Sequence, residues 1–211
     1  MTTTHSLDTI KPTAGGKTLL KQLLMERNEH PERKEEVDSR IKEAFEREVA
    51  ILVLDMCGFS RTTMKFGIIH FLSMIVQMDE VATPAIKDNG GKVIKQEADN
   101  LFAIFPSVEQ AVEAALDIFR AFRAVDTVLP DERDIYGSIG IGYGPTLLIG
   151  EDDLFGNEMN LCSKLGEDLA ERMEILLTSS AGEALPKDKF KCEPVKFNIS
   201  GVDLDCYRLK Q

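Results

Sequence analysis

Two aspartates stand where a carboxylate has chemistry open to it. Asp55 follows the apolar run Val49–Leu54, in the segment Leu54-Asp55-Met56-Cys57-Gly58-Phe59-Ser60. A carboxylate there leaves the hydrophobic layer where the chain turns into a helix. Gly58 lets backbone amides approach a ligand closely, and a helix starting at Ser60–Arg61 favours anions. Asp99 lies in a reversal, Glu97–Asn100, between two short strand patterns. Each has an ordinary explanation alone: Asp55 as a helix cap or loop residue, Asp99 as a turn former. The pair says more. If the hairpin lies beside the first strand, both carboxylates converge at one sheet edge and can hold hard cations. Magnesium suits one or two carboxylates, with phosphate oxygens and water completing its octahedron. Asn160 and Lys164, four apart in a helical pattern, share a face and read most simply as solvated polar residues.

The elements that must position these residues follow from periodicity. Val49–Leu54 is apolar without interruption, as expected of a strand buried on both faces. Residues 61–83 carry a helical stripe through Met64, Ile68, Phe71, Leu72 and Ile75, and Pro84 is expected to end or kink it. Asn89-Gly90-Gly91 is turn chemistry, and strands follow near Lys92–Gln96 and Leu101–Phe105. Ser107 with Gln110 makes a capping box for a helix through Val112, Ala115, Leu116 and Phe119. Gly137–Gly144 alternates glycine with Ile139, Ile141 and Tyr143. That spacing is wrong for a phosphate-binding loop and right for a strand with one glycine face. A helix over 156–172, a strand at Glu174–Leu177 and a hairpin around Gly201 complete an α+β pattern of a sheet layered with helices.

Before Val49, residues 1–16 read as a loose polar tail, and Leu19, Leu20, Leu23 and Leu24 begin a helical stripe. Residues 32–48 read as a second helix, with Val37, Ile41, Ala44 and Phe45 on one face. Glu36/Arg40, Asp38/Lys42 and Glu43/Arg47 sit at i,i+4 spacing. Packing on its own domain and serving as a partner helix in a dimer are both open for this segment. The expected organisation is a helical extension over 1–48 and one domain over 49–211.

Composition narrows the classes. With 211 residues, 43% hydrophobic and 29% charged, the chain can bury a core without staples. A net charge of -11 argues against nucleic acid or an anionic membrane as main partner, since both demand basic patches. No run of about 18 uncharged apolar residues exists to span a bilayer. The first residues lack the apolar core of a secretory signal, and the chain reads as cytoplasmic. Cys57, Cys162, Cys192 and Cys206 show no metal-ligand spacing, and 3 histidines give a zinc site or triad little material.

Three stretches carry a family resemblance: Leu-Asp-Met-Cys-Gly-Phe-Ser (54–60), Val-Ile-Lys-Gln-Glu-Ala-Asp (93–99) and Asp-Leu-Phe-Gly-Asn-Glu-Met-Asn-Leu-Cys-Ser-Lys-Leu (153–165). In order and spacing they resemble the central motifs of class III adenylyl and guanylyl cyclases, over roughly residues 48–209. The resemblance implies a ferredoxin-like, palm-type sheet with flanking helices. It implies a lyase in signal transduction that converts ATP to 3′,5′-cyclic AMP and pyrophosphate, with two Mg2+ or Mn2+ ions per site. Asp55, Asp99 and the Met56 carbonyl are then the metal ligands, and Gly58, Phe59 and Ser60 substrate-binding residues. Lys95 and Asp153 become the purine-selecting pair, Asn160 the ribose contact and Lys164 the group facing the phosphorus. Each site is assembled across a homodimer, metals from one subunit and base recognition from the other.

Hydrogen-bond chemistry supports the purine assignment independently. Adenine offers an acceptor at N1 and a donor at its amine. Lysine only donates and ionised aspartate only accepts, so the pair matches adenine and mismatches guanine. A surface salt bridge is the plainer alternative.

Three departures count against full activity. Ala98 replaces the usual glycine before the second aspartate, and Lys164 stands where arginine is usual and lacks its planar grip on phosphate. The final hairpin lacks the family's lysine at its usual place; Lys196 is a few positions early and Arg61 is a possible substitute. The alternatives are therefore a catalytically weak, nucleotide-binding regulatory dimerisation domain, or a guanylyl cyclase. The Gly-Gly-Asp/Glu-Glu-Phe signature of diguanylate cyclases is absent.

Overall fold

A computed structural model describes residues 7, 15–126, 134–199 and 201–210, with the backbone alone for Phe59, Ser60, Arg61, Asp126 and Val202. The expected loose tail over 1–16 falls almost wholly outside the described residues. Two helices open the described chain, α1 (Gly16–Glu29) and α2 (Lys34–Phe45). Then come β1 (Glu46–Met56), α3 (Phe59–Phe66), α4 (Ile68–Asp88), β2 (Lys92–Glu97), β3 (Asn100–Phe105), α5 (Val108–Asp126) and β4 (Gly137–Ile149). The remainder is β5 (Asp153–Phe155), α6 (Asn157–Ser163), a π-helical turn (Lys164–Leu169), β6 (Ile175–Thr178), α7 (Ser179–Ala184), β7 (Cys192–Ile199) and β8 (Val202–Leu209).

The strands form one mixed sheet in the order β2-β3-β1-β4-β6-β8-β7, with β5 paired to β4. Only the β4–β6 pairing is parallel among those described. Strand, helices, hairpin, helix and strand from β1 to β4, in spatial order β2-β3-β1-β4, is the ferredoxin-like arrangement.

β1 explains its own unbroken apolar sequence. Ala50, Leu52, Leu54 and Met56 face a core shared with α4 and α5, including Met78, Ile86, Phe119 and Phe122. Val49, Ile51 and Val53 face the other way, onto Leu154 and Cys162. Strand alternation therefore buries both sets. Leu7 also packs against this second cluster.

The glycine strand is bare for a packing reason. A Cβ at Gly140 would come within 2.1 Å of the Cys162 carbonyl oxygen, and one at Gly142 within 3.0 Å of that of Glu158. The glycines let α6 lie directly on β4, as strand alternation with one glycine face requires.

Several boundaries differ from the sequence pattern. The helix stripe over 61–83 is two helices broken at Gly67 (φ 86), and Pro84 lies inside α4, which continues to Asp88. A left-handed glycine interrupts a helix more sharply than a proline near its last turn, where few later hydrogen bonds depend on it. The second helix stops at Phe45, because Glu46–Glu48 pair with Pro145–Leu147 of β4 as the start of β1. Its charges pair across to α1: Arg27 with Asp38, Arg40 with Glu26. The expected i,i+4 pairs yield to these interhelical ones. Leu23, Val37, Ile41 and Phe45 pack with Ile149, so both helices lie against this chain's own sheet. The expected helix over 156–172 ends at Leu169 and finishes in the π-helical turn. Ser107 accepts from the Gln110 amide at 3.3 Å, which is the serine half of the capping box.

Candidate functional site

The register of the sheet sets the site. Asp55 is opposite Asn100 on β3 and Ser138 on β4, and it shares strand parity with Val49, Ile51 and Val53. It therefore projects from the face covered by α6. The Met56 amide donates to the Asp99 carbonyl oxygen at 3.2 Å, which ties the end of β1 to the β2–β3 turn. Ala98 in that turn has φ 52, the left-handed conformation that explains why glycine is usual there.

Negative charge is concentrated at this edge. Burial raises the Asp55 carboxyl to about 7, reinforced by Asp99, Glu167 and Asp168. Burial also raises Glu167, with a Ser163 hydrogen bond opposing and Asp168, Asp99 and Glu97 adding to the rise. The π-helical turn brings Glu167 in, because Gly166 packs its backbone onto β1 and β4. A Cβ on Gly166 would sit 2.8 Å from the Gly140 nitrogen and 2.9 Å from the Val53 oxygen. Glu167 and Asp168 were not legible in the sequence, since a π-helical turn cannot be read from an α-helical stripe.

The donor set suits a divalent cation that brings its own additional oxygens. Among the described residues, no three His, Cys, Asp or Glu side chains converge tightly enough to hold a metal unaided. Asp55, Asp99 and the Met56 carbonyl would leave positions for water and phosphate, which is how magnesium is usually bound. Gly58, with φ 103, caps α3 without a side-chain hydrogen bond to its first amides. The side chains of Phe59, Ser60 and Arg61 lie outside the described residues.

Lys95 and Asp153 meet. The Lys95 ammonium is 2.9 Å from Asp153 Oδ1, 2.9 Å from Glu97 Oε1 and 4.8 Å from the centre of the Phe102 ring. A β-bulge between Val93 and Lys95 turns Lys95 to the same face as Ile94 and Phe102. Burial lowers the Lys95 pKa, but the bonds to Glu97 and Asp153 outweigh it, so the ammonium is held above its usual range. Asp153 reaches this position on β5, a short strand against β4 that the sequence pattern did not reveal.

Asn160 and Lys164 share a face, as their spacing requires. The Lys164 amide donates to the carbonyls of Asn160 and Leu161. Glu158 anchors this helix to the sheet, accepting from the Thr178 hydroxyl at 2.8 Å, the Ser180 hydroxyl at 3.1 Å and the Tyr143 amide at 3.3 Å. The Lys164 ammonium is bonded to Asp168 at 2.5 Å. Lys196 does not join the group. It sits on β7 at the far edge of the sheet, separated from β1 by β4, β6 and β8, and pairs with Asp203 and Asp205.

No protein-family profile matches the chain. It is 30% identical over 125 residues to the candidate adenylate cyclase 3 of Rhizobium meliloti (strain 1021), covering 59% of this chain and 21% of that protein. It is 31% identical over 98 residues to the photoactivated adenylate cyclase subunit beta of Euglena gracilis, covering 46% of this chain and 11% of that one. The matches thus span only 21% and 11% of those relatives' lengths. Among solved structures, the adenylyl cyclase CyaB from P. aeruginosa superposes with TM-score 0.68 at 16% identity, over 79% of this chain and 95% of that one. An adenylate/guanylate cyclase/hydrolase from Silicibacter pomeroyi gives 0.66 at 25% identity, over 78% and 96%. A rhodopsin-guanylyl cyclase core with converted specificity, in complex with ATPalphaS, gives 0.66 at 18% identity, over 78% and 98%. The chain has the fold of class III adenylyl/guanylyl cyclase catalytic domains, and over about half its length it is similar in sequence to adenylate cyclases.

Proposed function

We propose that the chain is an adenylyl cyclase, a lyase that closes ATP to 3′,5′-cyclic AMP with release of pyrophosphate, acting as a homodimer. The observation that carries this reading is the Lys95–Asp153 pair at 2.9 Å, on the same sheet face as Asp55. A donor-only and an acceptor-only group side by side match the N1 and amine of adenine. Guanine would leave both groups badly paired.

Asp55, Asp99 and the Met56 carbonyl would hold two Mg2+ or Mn2+ ions. Bound there, the ions would neutralise the triphosphate and acidify the ribose 3′ hydroxyl. The protein's own groups do the rest. Gly58 and the start of α3 receive phosphate oxygens on backbone amides. Asn160 orients the ribose by hydrogen bonding. Lys164 offsets the negative charge that grows on the α-phosphate as the 3′ oxygen attacks and pyrophosphate leaves. The helices α1 and α2 form an extension ahead of the catalytic domain, and α1 borders Asp153 through a groove lined by Leu20, Leu24, Ile149 and Phe155.

Dimerisation is supported by an apolar surface on α3 and α4. Met64 and Ile69 are 84% and 81% exposed, and Leu72 and Val76 on α4 are exposed as well, large apolar side chains that a partner surface would cover. No described helix is long and apolar enough to cross a membrane.

A second reading, a weakly active regulatory domain, is favoured by the two lysines nearest the phosphate roles. Lys164 is paired with Asp168 and Lys196 with Asp203 and Asp205. Product formation from ATP and from GTP, with Mg2+ or Mn2+ and over a range of protein concentrations, decides between the readings. Cyclic AMP formation that rises more steeply than linearly with protein and vanishes in Asp55→Ala supports the enzyme. Equal product from both proteins refutes it, and preferred use of GTP makes it a guanylyl cyclase.

A further inference from the structure

We infer that Glu97 is a specificity-determining residue that positions Lys95 against the purine edge, an inference that rests on the adenylyl cyclase reading. Nothing in the cyclase motifs gives Glu97 this part. It lies two residues from Lys95 on β2, and its carboxylate accepts from the Lys95 ammonium at 2.9 Å.

An ammonium has three N–H donors and no acceptor. In the free protein, one of the Lys95 donors is used by Glu97 and one by Asp153, and the ammonium lies against the Phe102 ring. Asp153 Oδ1 carries a further load, accepting from the Leu154 amide at 3.0 Å. To receive the amine of adenine, Asp153 must share or give up its bond to Lys95. The Lys95 side chain is only 14% exposed, so water compensates it poorly at that moment. Were Asp153 its sole anion, base binding would leave a largely buried cation short of a partner, which is costly.

Glu97 removes that conflict. Its side chain is 62% exposed, so it keeps its contact with water at little desolvation cost while holding Lys95 in place. Asp153 is then free to turn to the amine, and the third Lys95 donor is left for N1. The strand geometry keeps this arrangement intact, since the bulge before Lys95 aims it at Asp153 and the turn after Glu97 is pinned by the Met56–Asp99 hydrogen bond.

The test is steady-state kinetics of the full chain with ATP and GTP, together with equilibrium binding of a non-cyclisable ATP analogue, for wild type, Glu97→Ala and Glu97→Gln. Losing one charge-assisted hydrogen bond predicts that Glu97→Ala raises the KM for ATP and the analogue Kd about fivefold, with a smaller change in kcat. The preference for ATP over GTP should fall by a similar factor. Glu97→Gln keeps an acceptor oxygen of the same shape and should recover part of the loss. An active Glu97→Ala with unchanged KM, Kd and nucleotide preference overturns the inference and leaves the proposed function standing. A fall in kcat alone overturns it too. Wild-type protein that neither binds the analogue nor turns over ATP overturns the proposed function, and the inference with it.

Discussion

The Met56 amide is hydrogen-bonded to the Asp99 carbonyl oxygen at 3.2 Å, so the end of β1 and the β2–β3 turn are fixed to each other through backbone. Two carboxylates far apart in sequence thereby share one edge without relying on side-chain contact. The cost of that arrangement is electrostatic, and it makes the first prediction.

Asp55 is raised to about 7 by burial and by Asp99, Glu167 and Asp168. An acid whose folded pKa exceeds its unfolded value binds more protons folded than unfolded between those values. Metal-free stability should therefore fall as pH rises from about 4 to about 7, and level off above. At pH 8 the Asp55→Asn variant, which removes the repelled charge, should melt at least about 3 °C higher than wild type. Added Mn2+ should stabilise wild type and not the variant. Thermal melts at pH 5 and pH 8, with and without Mn2+, read both effects.

Asp153→Asn tests purine choice. An asparagine amide can present either its oxygen or its NH2, so it no longer rejects guanine. The ratio of kcat/KM for ATP over GTP should drop by about tenfold or more, mainly through a weaker KM for ATP. An unchanged ratio in competition assays would show that the Lys95–Asp153 pair is only a surface salt bridge.

Lys164→Arg tests the transition-state assignment. Arginine offers a planar two-point grip where lysine offers a point charge. kcat should rise several-fold to about tenfold, while Lys164→Ala should lower it by about a hundredfold. If cyclic AMP formation is insensitive to both changes, Lys164 has no part in the chemistry and its bond to Asp168 is its whole role.

Ala98→Gly tests the turn. Ala98 sits at φ 52, where a Cβ costs about 1–2 kcal/mol relative to glycine. Glycine gives back part of this through greater unfolded-state freedom. The substitution should raise the unfolding free energy in urea by about 0.5–1 kcal/mol. A loss of stability would mean that the alanine methyl makes a compensating contact.

The readable parts of this protein were those set by local rules. β1 was legible because a strand buried on both faces leaves no polar position between Val49 and Leu54. The Gly137–Gly144 strand was legible because strict alternation fits a strand and no phosphate loop. Lys164 and Asn160 share a face because the Lys164 amide still reaches back one α-helical turn. The second helix misled at its end: Glu46–Glu48 suit either a helix or a strand, and pairing with β4 decided for the strand.

What sequence determined by itself was the order of the motifs, the chemical types of Asp55, Lys95, Asp99, Asp153, Asn160 and Lys164, and the elements carrying most of them. Tertiary structure alone decided which of these meet. The β-bulge that turns Lys95, the short strand that delivers Asp153, and the π-helical turn that brings Glu167 and Asp168 toward Asp55 arise from packing between distant segments. The same holds for the placing of Lys196 at the opposite edge of the sheet. Local propensity acts over a few residues, whereas a charge is shifted, or an ion pair formed, by whatever the fold places within several ångströms.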